Sequence, residues 1–227
     1  SIAIRIARAA TGKDNVAICG YHGWHDWYLS ANLGKSKDLD GHLLPGLEPN
    51  GVPRNLEGTS FSFQYNDLEG LKTLIENNEI GIIKIEVMRN HPPKNNFLEE
   101  ERLLANKNNI VLIFDECTSG FRETNSGLHQ KFNVQPDIAI YGKTLGNGYA
   151  ITSIVGKKEV MDHAQSSFIS STFWTERIGP TAAIASLKEM NQVKSWEVVC
   201  KKGKEIKKSW KKIFSDYDLN FEISGLD

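Results

Sequence analysis

Two apolar runs that end in chemically active side chains most constrain how this chain folds. The run "IVLIFDE" (residues 110–116) is apolar up to Asp115, and "IAIYGK" (residues 138–143) leads in the same way to Lys143. Because neither run alternates polar and apolar residues, each predicts a strand buried on both faces, as in a parallel sheet covered by helices. Ligands of such sheets bind beyond the carboxyl ends of the strands. An acid and an amine are therefore expected at the ligand-binding edge.

The rest of the chain alternates predicted strands with predicted helices. Further strands are predicted where β-formers cluster, at residues 15–20, 80–88 and 150–156. Helices are predicted over the first residues up to Gly12, at 66–78 with Asn66 or Asp67 as N-cap, and at 96–109. This order predicts an α/β fold with a mostly parallel sheet in a three-layer α/β/α arrangement. Residues 30–60, rich in turn formers, predict a long irregular excursion that is functional or packs on a partner.

Composition and charge argue against several classes of partner. The 227 residues are 40% hydrophobic and 24% charged, an ordinary globular balance. A net charge of -1 provides no field to attract nucleic acid or anionic lipid, and no run is long enough to span a bilayer. Cys19, Cys117 and Cys200 are far apart and odd in number, which favours reduced thiols over a disulfide framework or a zinc site. We therefore expect a cytoplasmic protein with no nucleic-acid and no membrane partner.

A basic stretch at residues 194–216 has the periodicity of an amphipathic helix. One face of that helix carries, on or near it, Trp196, Val199, Ile206, Trp210 and Ile213. A helix lying on a membrane surface is one interpretation, and a solvated outer face of the protein is the interpretation we favour.

The tripeptide Gly-Lys-Thr around Lys143 matches the end of a phosphate-binding P-loop, but the rest of that motif is missing. A P-loop needs a glycine at position 137, where this chain has Asp137. The residues that follow, "LGNGYAI", contain glycines and β-formers and do not predict the helix that a P-loop opens. No G-x-G-x-x-G dinucleotide fingerprint occurs either. Nucleotide binding by Lys143 is therefore not predicted.

A covalent role for Lys143 agrees better with its surroundings. A lysine that condenses with a carbonyl must become neutral, which burial and a nearby cation both favour. The apolar approach to Lys143 predicts such burial, and the following glycines leave space for a planar ring. Pyridoxal phosphate also needs an acid beside its pyridine nitrogen, to keep the ring protonated and able to accept electrons. Asp115, at the end of another buried strand, is the candidate acid.

Five stretches, taken together and in this order, resemble one enzyme family. They are "ARAATGKDNVAICGYHGWHD", "YNDLEGLKTLIE", "LIFDECTSGFRE", "QPDIAIYGKTLGNG" and "STFWTERIGPTAA". The chain resembles the class III (subgroup II) aminotransferases, which are pyridoxal-phosphate enzymes of fold type I, and within them the glutamate-1-semialdehyde 2,1-aminomutase branch. The resemblance covers roughly residues 1–190. The interval of 28 residues from Asp115 to Lys143 is also of the family's kind.

The resemblance implies a role for each matching residue of the cofactor site. Lys143 would form the internal aldimine with pyridoxal 5'-phosphate and then move a proton between the substrate carbon and C4′ of the cofactor. Asp115 would bond to the pyridinium nitrogen. Tyr21 would stack on the ring face, with Gly20 and His22 beside it.

The resemblance also implies contacts with the substrate and with a second subunit. Thr172 would reach the cofactor phosphate of the neighbouring subunit, so a homodimer with a shared active site is expected. Glu86 matches a family Glu-Pro pair and is a substrate-binding candidate, although this chain has Glu-Val there. Arg177 could bind a substrate carboxylate or form an interface salt bridge. The family has small residues where this chain has "WTERIGP" after Thr172, which indicates a variant substrate.

The chain also resembles only part of the family's length. Residues 1–190 are expected to be the cofactor-binding large domain without its N-terminal part, which in the family carries a small-residue phosphate loop. Residues 191–227 are expected to be the start of a truncated C-terminal small domain. The resemblance therefore leaves open whether this piece binds the cofactor by itself.

The predicted function is pyridoxal-phosphate-dependent transfer of an amino group from a small-molecule donor to a carbonyl acceptor. In the aminomutase version both steps occur on one carbon skeleton. A decarboxylase or racemase on the same fold, or a catalytically silent domain, are the alternatives. His22, His25 and Asp26 resemble a metal cluster but have no fourth ligand nearby, so no metal is predicted. The identity of donor and acceptor, and the choice between aminomutase and aminotransferase, stay open.

Overall fold

The computed structural model describes residues 1–34, 37–42 and 45–227. The four remaining residues belong to the predicted excursion of residues 30–60 and lie outside the described residues. A sheet of six described strands forms the centre of the fold: Asn15–Cys19 (β1), Ser60–Ser62 (β2), Ile80–Ile85 (β3), Val111–Glu116 (β4), Ile138–Tyr141 (β5) and Ser153–Gly156 (β6). The strand order is β2-β1-β3-β4-β5-β6. Neighbouring strands are parallel except β5 and β6, which are antiparallel, so the predicted mostly parallel sheet is confirmed.

Seven α-helices are described around this sheet: Ile2–Thr11 (α1), Asp26–Leu29 (α2), Leu68–Asn77 (α3), Phe97–Lys107 (α4), Lys158–Met161 (α5), Ile178–Val193 (α6) and Ser195–Asp216 (α7). Short 3-10 turns lie at Ser30–Asn32, Arg54–Leu56, Leu128–Phe132, Lys143–Leu145, Asp162–Ser166 and Thr172–Thr175. The predicted helices and strands are confirmed, with ends that differ by a few residues.

Local chemistry explains where the first predicted helices begin and end. Gly12 closes α1 in the left-handed conformation (φ 69°), and its N–H donates to the carbonyl oxygen of Arg8 at 2.8 Å. At the start of α3 the side chain of Asp67 accepts a hydrogen bond from the N–H of Gly70 at 2.9 Å. Of the two predicted N-caps of α3, Asp67 is therefore the one that forms.

The apolar strands bury both of their faces, which produces the three predicted layers. One face packs on α3 and α4, through Leu71 and Phe97. The opposite face packs on α1 and α5, through Ile4 and Val160. Each fully buried aliphatic side chain stabilises the fold by about 1.5–3 kcal/mol. Because two hydrophobic layers hold the sheet, its strand ends have well-defined positions.

The C-terminal helices are much less buried than the sheet. The predicted amphipathic helix is α7, and none of its residues is fully buried. Ile206, Trp210 and Ile213 expose about half of their surface. Among the described residues, no helix is long and apolar enough to cross a membrane. The domain division predicted after residue 190 lies in the last turn of α6 and stays a prediction.

Candidate active site

Four neighbouring parallel strands end at one edge of the sheet, and most predicted site residues lie there. Gly20, Tyr21 and His22 follow β1, and Glu86 follows β3. Asp115 is the fifth residue of β4 and pairs in register with Ile140 of β5. Lys143 comes two residues after the end of β5. The structure thus brings together the strand-end residues that the sequence predicted.

Asp115 is the electrostatic centre of this edge. Its Oδ2 accepts a hydrogen bond from Nδ1 of His22 at 3.0 Å and forms an ion pair with Nζ of Lys84 at 2.9 Å. Its Oδ1 accepts the N–H of Cys117 at 3.2 Å. Burial opposes ionisation, but the hydrogen bond from His22 and the charge of Lys84 outweigh it and hold the pKa of Asp115 well below its usual range. The carboxylate is therefore anionic at neutral pH, as the predicted role requires.

His22 is buried and holds Asp115 as a neutral donor. Burial lowers the pKa of His22, and the nearby charge of Lys84 lowers it further, so the imidazole is uncharged at neutral pH. A neutral ring that donates from Nδ1 has an accepting Nε2, and this atom is buried without a hydrogen-bond partner among the described residues. Trp27 packs against the ring with the centroids 6.2 Å apart and the planes 27° apart. Packing and one hydrogen bond thus fix the orientation of His22.

Glu86 connects the loop after β1 to the end of β3. Its Oε2 accepts the backbone N–H of Tyr21 at 2.9 Å, and both carboxylate oxygens bond to Arg89, at 2.8 and 2.5 Å. Gly20 makes this close approach possible: its φ is 106°, and a Cβ there would lie 2.7 Å from Oε2 of Glu86. Tyr21 is consequently held at the same edge as Asp115, where an aromatic ring is accessible to a ligand.

Lys143 is more exposed to solvent than Asp115. It opens a 3-10 turn with φ 43°, a left-handed conformation that costs a non-glycine residue about 1–2 kcal/mol. Its Nζ donates to Oγ1 of Thr118 at 2.6 Å. The side chain is exposed, so the predicted burial of Lys143 is wrong for this chain. The prediction considered only the apolar strand before Lys143, and the turn after β5 carries the lysine beyond that strand's packed layers.

A cavity of about 290 Å³ opens beside Gly20 and Glu86. Polar side chains contribute most of its lining, including His42, Tyr65 and Arg89. The guanidinium and the imidazole can recognise polar or anionic groups of a small molecule. The cavity is therefore the candidate place for a substrate.

Two predicted residues lie apart from this cluster. Thr172 is exposed, in the 3-10 turn Thr172–Thr175. Arg177 is exposed at the N-terminal end of α6. Around them Phe168, Phe173 and Trp174 expose most of their surface, 88% in the case of Phe168. Their predicted roles, phosphate contact across subunits and substrate or interface contact, stay predictions.

The sequence reasoning missed three residues of the edge: Lys84, Arg89 and Thr118. Lys84 interrupts the otherwise apolar run "IGIIKI", and a charged residue inside a fully buried strand was a signal that could have identified it. Arg89 and Thr118 follow strand ends without such a signal. Among residues 1–34, 37–42 and 45–227, no group of three or more His, Cys, Asp or Glu residues could hold a metal ion.

Comparison with known proteins shows the family of this chain. The family model "Aminotransferase class-III" matches residues 2–226. The chain belongs to the class-III aminotransferase family. It is 36% identical over 99% of its length to 3-aminobutyryl-CoA aminotransferase of Cloacimonas acidaminovorans (strain Evry), and covers 52% of that protein. It is 37% identical over 85% of its length to glutamate-1-semialdehyde 2,1-aminomutase of Nitrosopumilus maritimus (strain SCM1), and covers 47% of that protein.

Solved structures show the same fold for this class-III aminotransferase chain. A structure described as the internal aldimine form of the FumI protein of Sphingopyxis sp. MTA144, with pyridoxal phosphate, superposes with a TM-score of 0.84 and 19% identity. It is matched over 97% of this chain and 52% of its own. A transaminase with bound pyridoxal phosphate has a TM-score of 0.84 and 23% identity, over 99% of this chain and 55% of its own. The predicted fold type I architecture is confirmed, and the chain spans about half the length of the curated relatives it matches.

Proposed function

We propose that the full-length protein containing this chain transfers an amino group between a small-molecule donor and a carbonyl acceptor, with pyridoxal 5'-phosphate as cofactor. The observation that carries the proposal is the placement of Asp115 and Lys143 at the carboxyl ends of adjacent parallel strands, in a chain of the class-III aminotransferase family. Relatives named as aminotransferases and as aminomutases both support amino transfer. A phosphate-loop role for this lysine has no support in the motif.

The residues present fit this cofactor. Pyridoxal phosphate supplies an aldehyde carbon that bonds to amines and a ring that accepts electrons when its nitrogen is protonated. The ionised Asp115 carboxylate suits a protonated ring nitrogen, and the accessible amine of Lys143 suits the aldehyde carbon. Gly20 and Tyr21 follow β1 at the same edge of the sheet, and His22 keeps the carboxylate oriented.

Each residue then has a defined task. Asp115 would keep the ring nitrogen protonated, and Lys143 would hold the cofactor and move a proton at the substrate carbon. Thr118 positions the amine of Lys143 through their 2.6 Å hydrogen bond. Tyr21 would cover one face of the ring.

Substrate recognition is assigned to the cavity beside Glu86. Glu86 and Arg89 form a bidentate pair on its wall, so a substrate group can bond to either partner. Arg177 is assigned a substrate or interface contact. The names of the relatives place their substrates among small amino compounds, one of them linked to coenzyme A.

The shared site of a homodimer is part of the proposal. Thr172 would contact the cofactor phosphate of a second copy, and the exposed apolar side chains of Phe168, Phe173 and Trp174 would be covered there. The proposed location is the cytoplasm, which agrees with three free cysteines.

The test is reduction of the full-length protein with borohydride in the presence of pyridoxal phosphate, followed by peptide mass mapping. We expect a pyridoxyl adduct on Lys143 and its loss in Lys143→Arg. Lys84 is the matched control, because this lysine forms an ion pair with Asp115: Lys84→Arg should keep the adduct on Lys143. An adduct on Lys84 would contradict the assignment, and no adduct on any lysine would favour a catalytically silent domain.

A further inference from the structure

Lys84 is a buried cation in the middle of the sheet. It lies in β3, whose six residues are all buried, and its side chain is only 5% exposed. Burying an ammonium group costs several kcal/mol unless an opposite charge and further contacts compensate. Here Nζ is 2.9 Å from Oδ2 of Asp115 and 4.9 Å from the ring centroid of Trp27. An ion pair and a cation–π contact thus hold this lysine in the candidate site.

Lys84 is the cation that contacts Asp115. His22 bonds to the same oxygen but is neutral, because burial and the charge of Lys84 lower its pKa. Burial raises the pKa of the neighbouring Cys117 thiol, and the charges of Lys143, Asp115, Lys84 and Glu86 all act on it. The charged side chains that face this edge therefore include three cations, Lys84, Arg89 and Lys143, and two carboxylates, Asp115 and Glu86. Arg89 pairs with Glu86, and Lys84 is in direct contact with Asp115.

A cation at this place opposes the predicted action of Asp115. The acid keeps a ring nitrogen protonated through its negative charge. A group that bonds to the Asp115 carboxylate lies within about 6 Å of the Lys84 ammonium, because both groups contact the same small carboxylate. At that range two unit charges still interact by more than thermal energy inside a protein. Lys84 thus makes protonation less favourable for any base that is hydrogen-bonded to Asp115.

We propose that Lys84 is a positioning residue that acts through Asp115, and that its charge weakens the hold of Asp115 on the proton of the cofactor's ring nitrogen. The inference rests on the proposed function, since it concerns pyridoxal phosphate at this site. Lys84 would then set how strongly the ring withdraws electrons from the substrate. An aliphatic residue at this position would remove the positive charge that opposes the Asp115 carboxylate.

The test uses the full-length protein loaded with pyridoxal phosphate labelled with ¹⁵N in the ring. The ¹⁵N chemical shift, followed against pH, reports the protonation of that nitrogen directly and does not depend on turnover. In Lys84→Met we expect the apparent pKa of the ring nitrogen to rise by about one to two pH units. Lys84→Arg keeps the charge and should titrate as the unmodified protein does.

Lys157→Met is the matched control, because Lys157 pairs with Asp137 at 2.8 Å outside the site. It should leave the ring titration unchanged. Identical titrations of Lys84→Met and the unmodified protein would overturn the inference. If Lys84→Met does not fold, Lys84→Gln replaces it, because the amide keeps a polar group beside Asp115 without the charge, and the same rise is expected. Equal titrations of Lys84→Gln and the unmodified protein would also overturn the inference.

The two proposals fail in different ways. Absence of a covalent adduct on Lys143 removes the proposed function. A normal adduct on Lys143, together with a ring titration that ignores residue 84, removes only the inference about Lys84.

Discussion

The two halves of the candidate site differ in how deeply the fold buries them. The acid half consists of His22, Lys84 and Asp115, and its side chains are at most 12% exposed. The amine half consists of Thr118 and Lys143, and Lys143 is exposed. β3 and β4 lie in the middle of the sheet, whereas β5 lies next to the edge strand β6, whose residues are partly exposed or exposed. Lys84 and Asp115 lie within β3 and β4, whereas Lys143 lies in the turn after β5, and this accounts for the difference.

The difference separates two chemical requirements. A buried acid that stays ionised needs fixed donors and a nearby cation, and the acid half supplies both. An amine that must react with a carbonyl needs access, and the amine half supplies that. Removing a polar contact of the acid half should therefore lower the stability of the fold. Removing the hydrogen bond of the amine half should instead affect cofactor binding.

The largest effect is expected from removing the charge of Asp115. In Asp115→Asn the buried ammonium of Lys84 loses its counterion, so the free energy of unfolding should fall by about 3–5 kcal/mol. Urea unfolding of the full-length protein measures this loss. The double variant Lys84→Met/Asp115→Asn is the control, and it should recover much of the stability. A double variant that is no more stable than Asp115→Asn would show that the unpaired charge of Lys84 does not cause the loss of stability.

A second buried carboxyl tests whether pairing, rather than burial, explains the acid half. Glu101 on α4 is fully buried, and neither carboxylate oxygen has a hydrogen-bond partner among the described residues. Burial raises the pKa of Glu101 from 4.5 to about 8, against the opposing charge of Arg102. The folded state thus holds a proton that the unfolded state releases at lower pH. Stability should fall as pH rises from about 4.5 to about 8, the opposite sign to a paired carboxylate.

Glu101→Gln mimics the protonated side chain and should remove this slope. At pH 7 the variant should be more stable than the unmodified protein by on the order of 3 kcal/mol, and below pH 4.5 the difference should vanish. Thermal or urea unfolding at several pH values measures it. Glu100→Gln, on the exposed side of the same helix, should leave the slope as it is. An unchanged slope in Glu101→Gln would mean that burial alone does not penalise the charge.

The smallest effect on folding is expected in the amine half. Lys143→Met removes an exposed hydrogen bond to Thr118, so the free energy of unfolding should change by less than about 1 kcal/mol. Thr118→Val removes the hydroxyl that accepts this hydrogen bond, and it should change the free energy of unfolding equally little. Urea unfolding without cofactor checks both variants. A loss as large as that of Asp115→Asn would contradict the distinction between the halves.

Much of the fold could be predicted because its signals are local. The helix that begins at Asp67 and ends before β3 follows from one cap and one periodic stretch. β4 and β5 follow from uninterrupted apolar runs. β2 is three residues long and was not predicted, because so short a strand has no periodicity and forms only by pairing with β1. The helix α6 was not predicted either, although part of it lies in a stretch that resembles the family.

The sequence by itself determined the α/β order, the strand ends and the pair Asp115 and Lys143, because hydrophobic periodicity and residue type act over a few neighbouring residues. Only the tertiary structure decided which groups meet those strand ends. His22 reaches Asp115 across 93 positions, and Lys143 reaches Thr118 across 25. The tertiary structure also placed Lys84 against Asp115 and left Lys143 exposed. Partners and burial depend on how distant segments pack, and no local pattern carries that information.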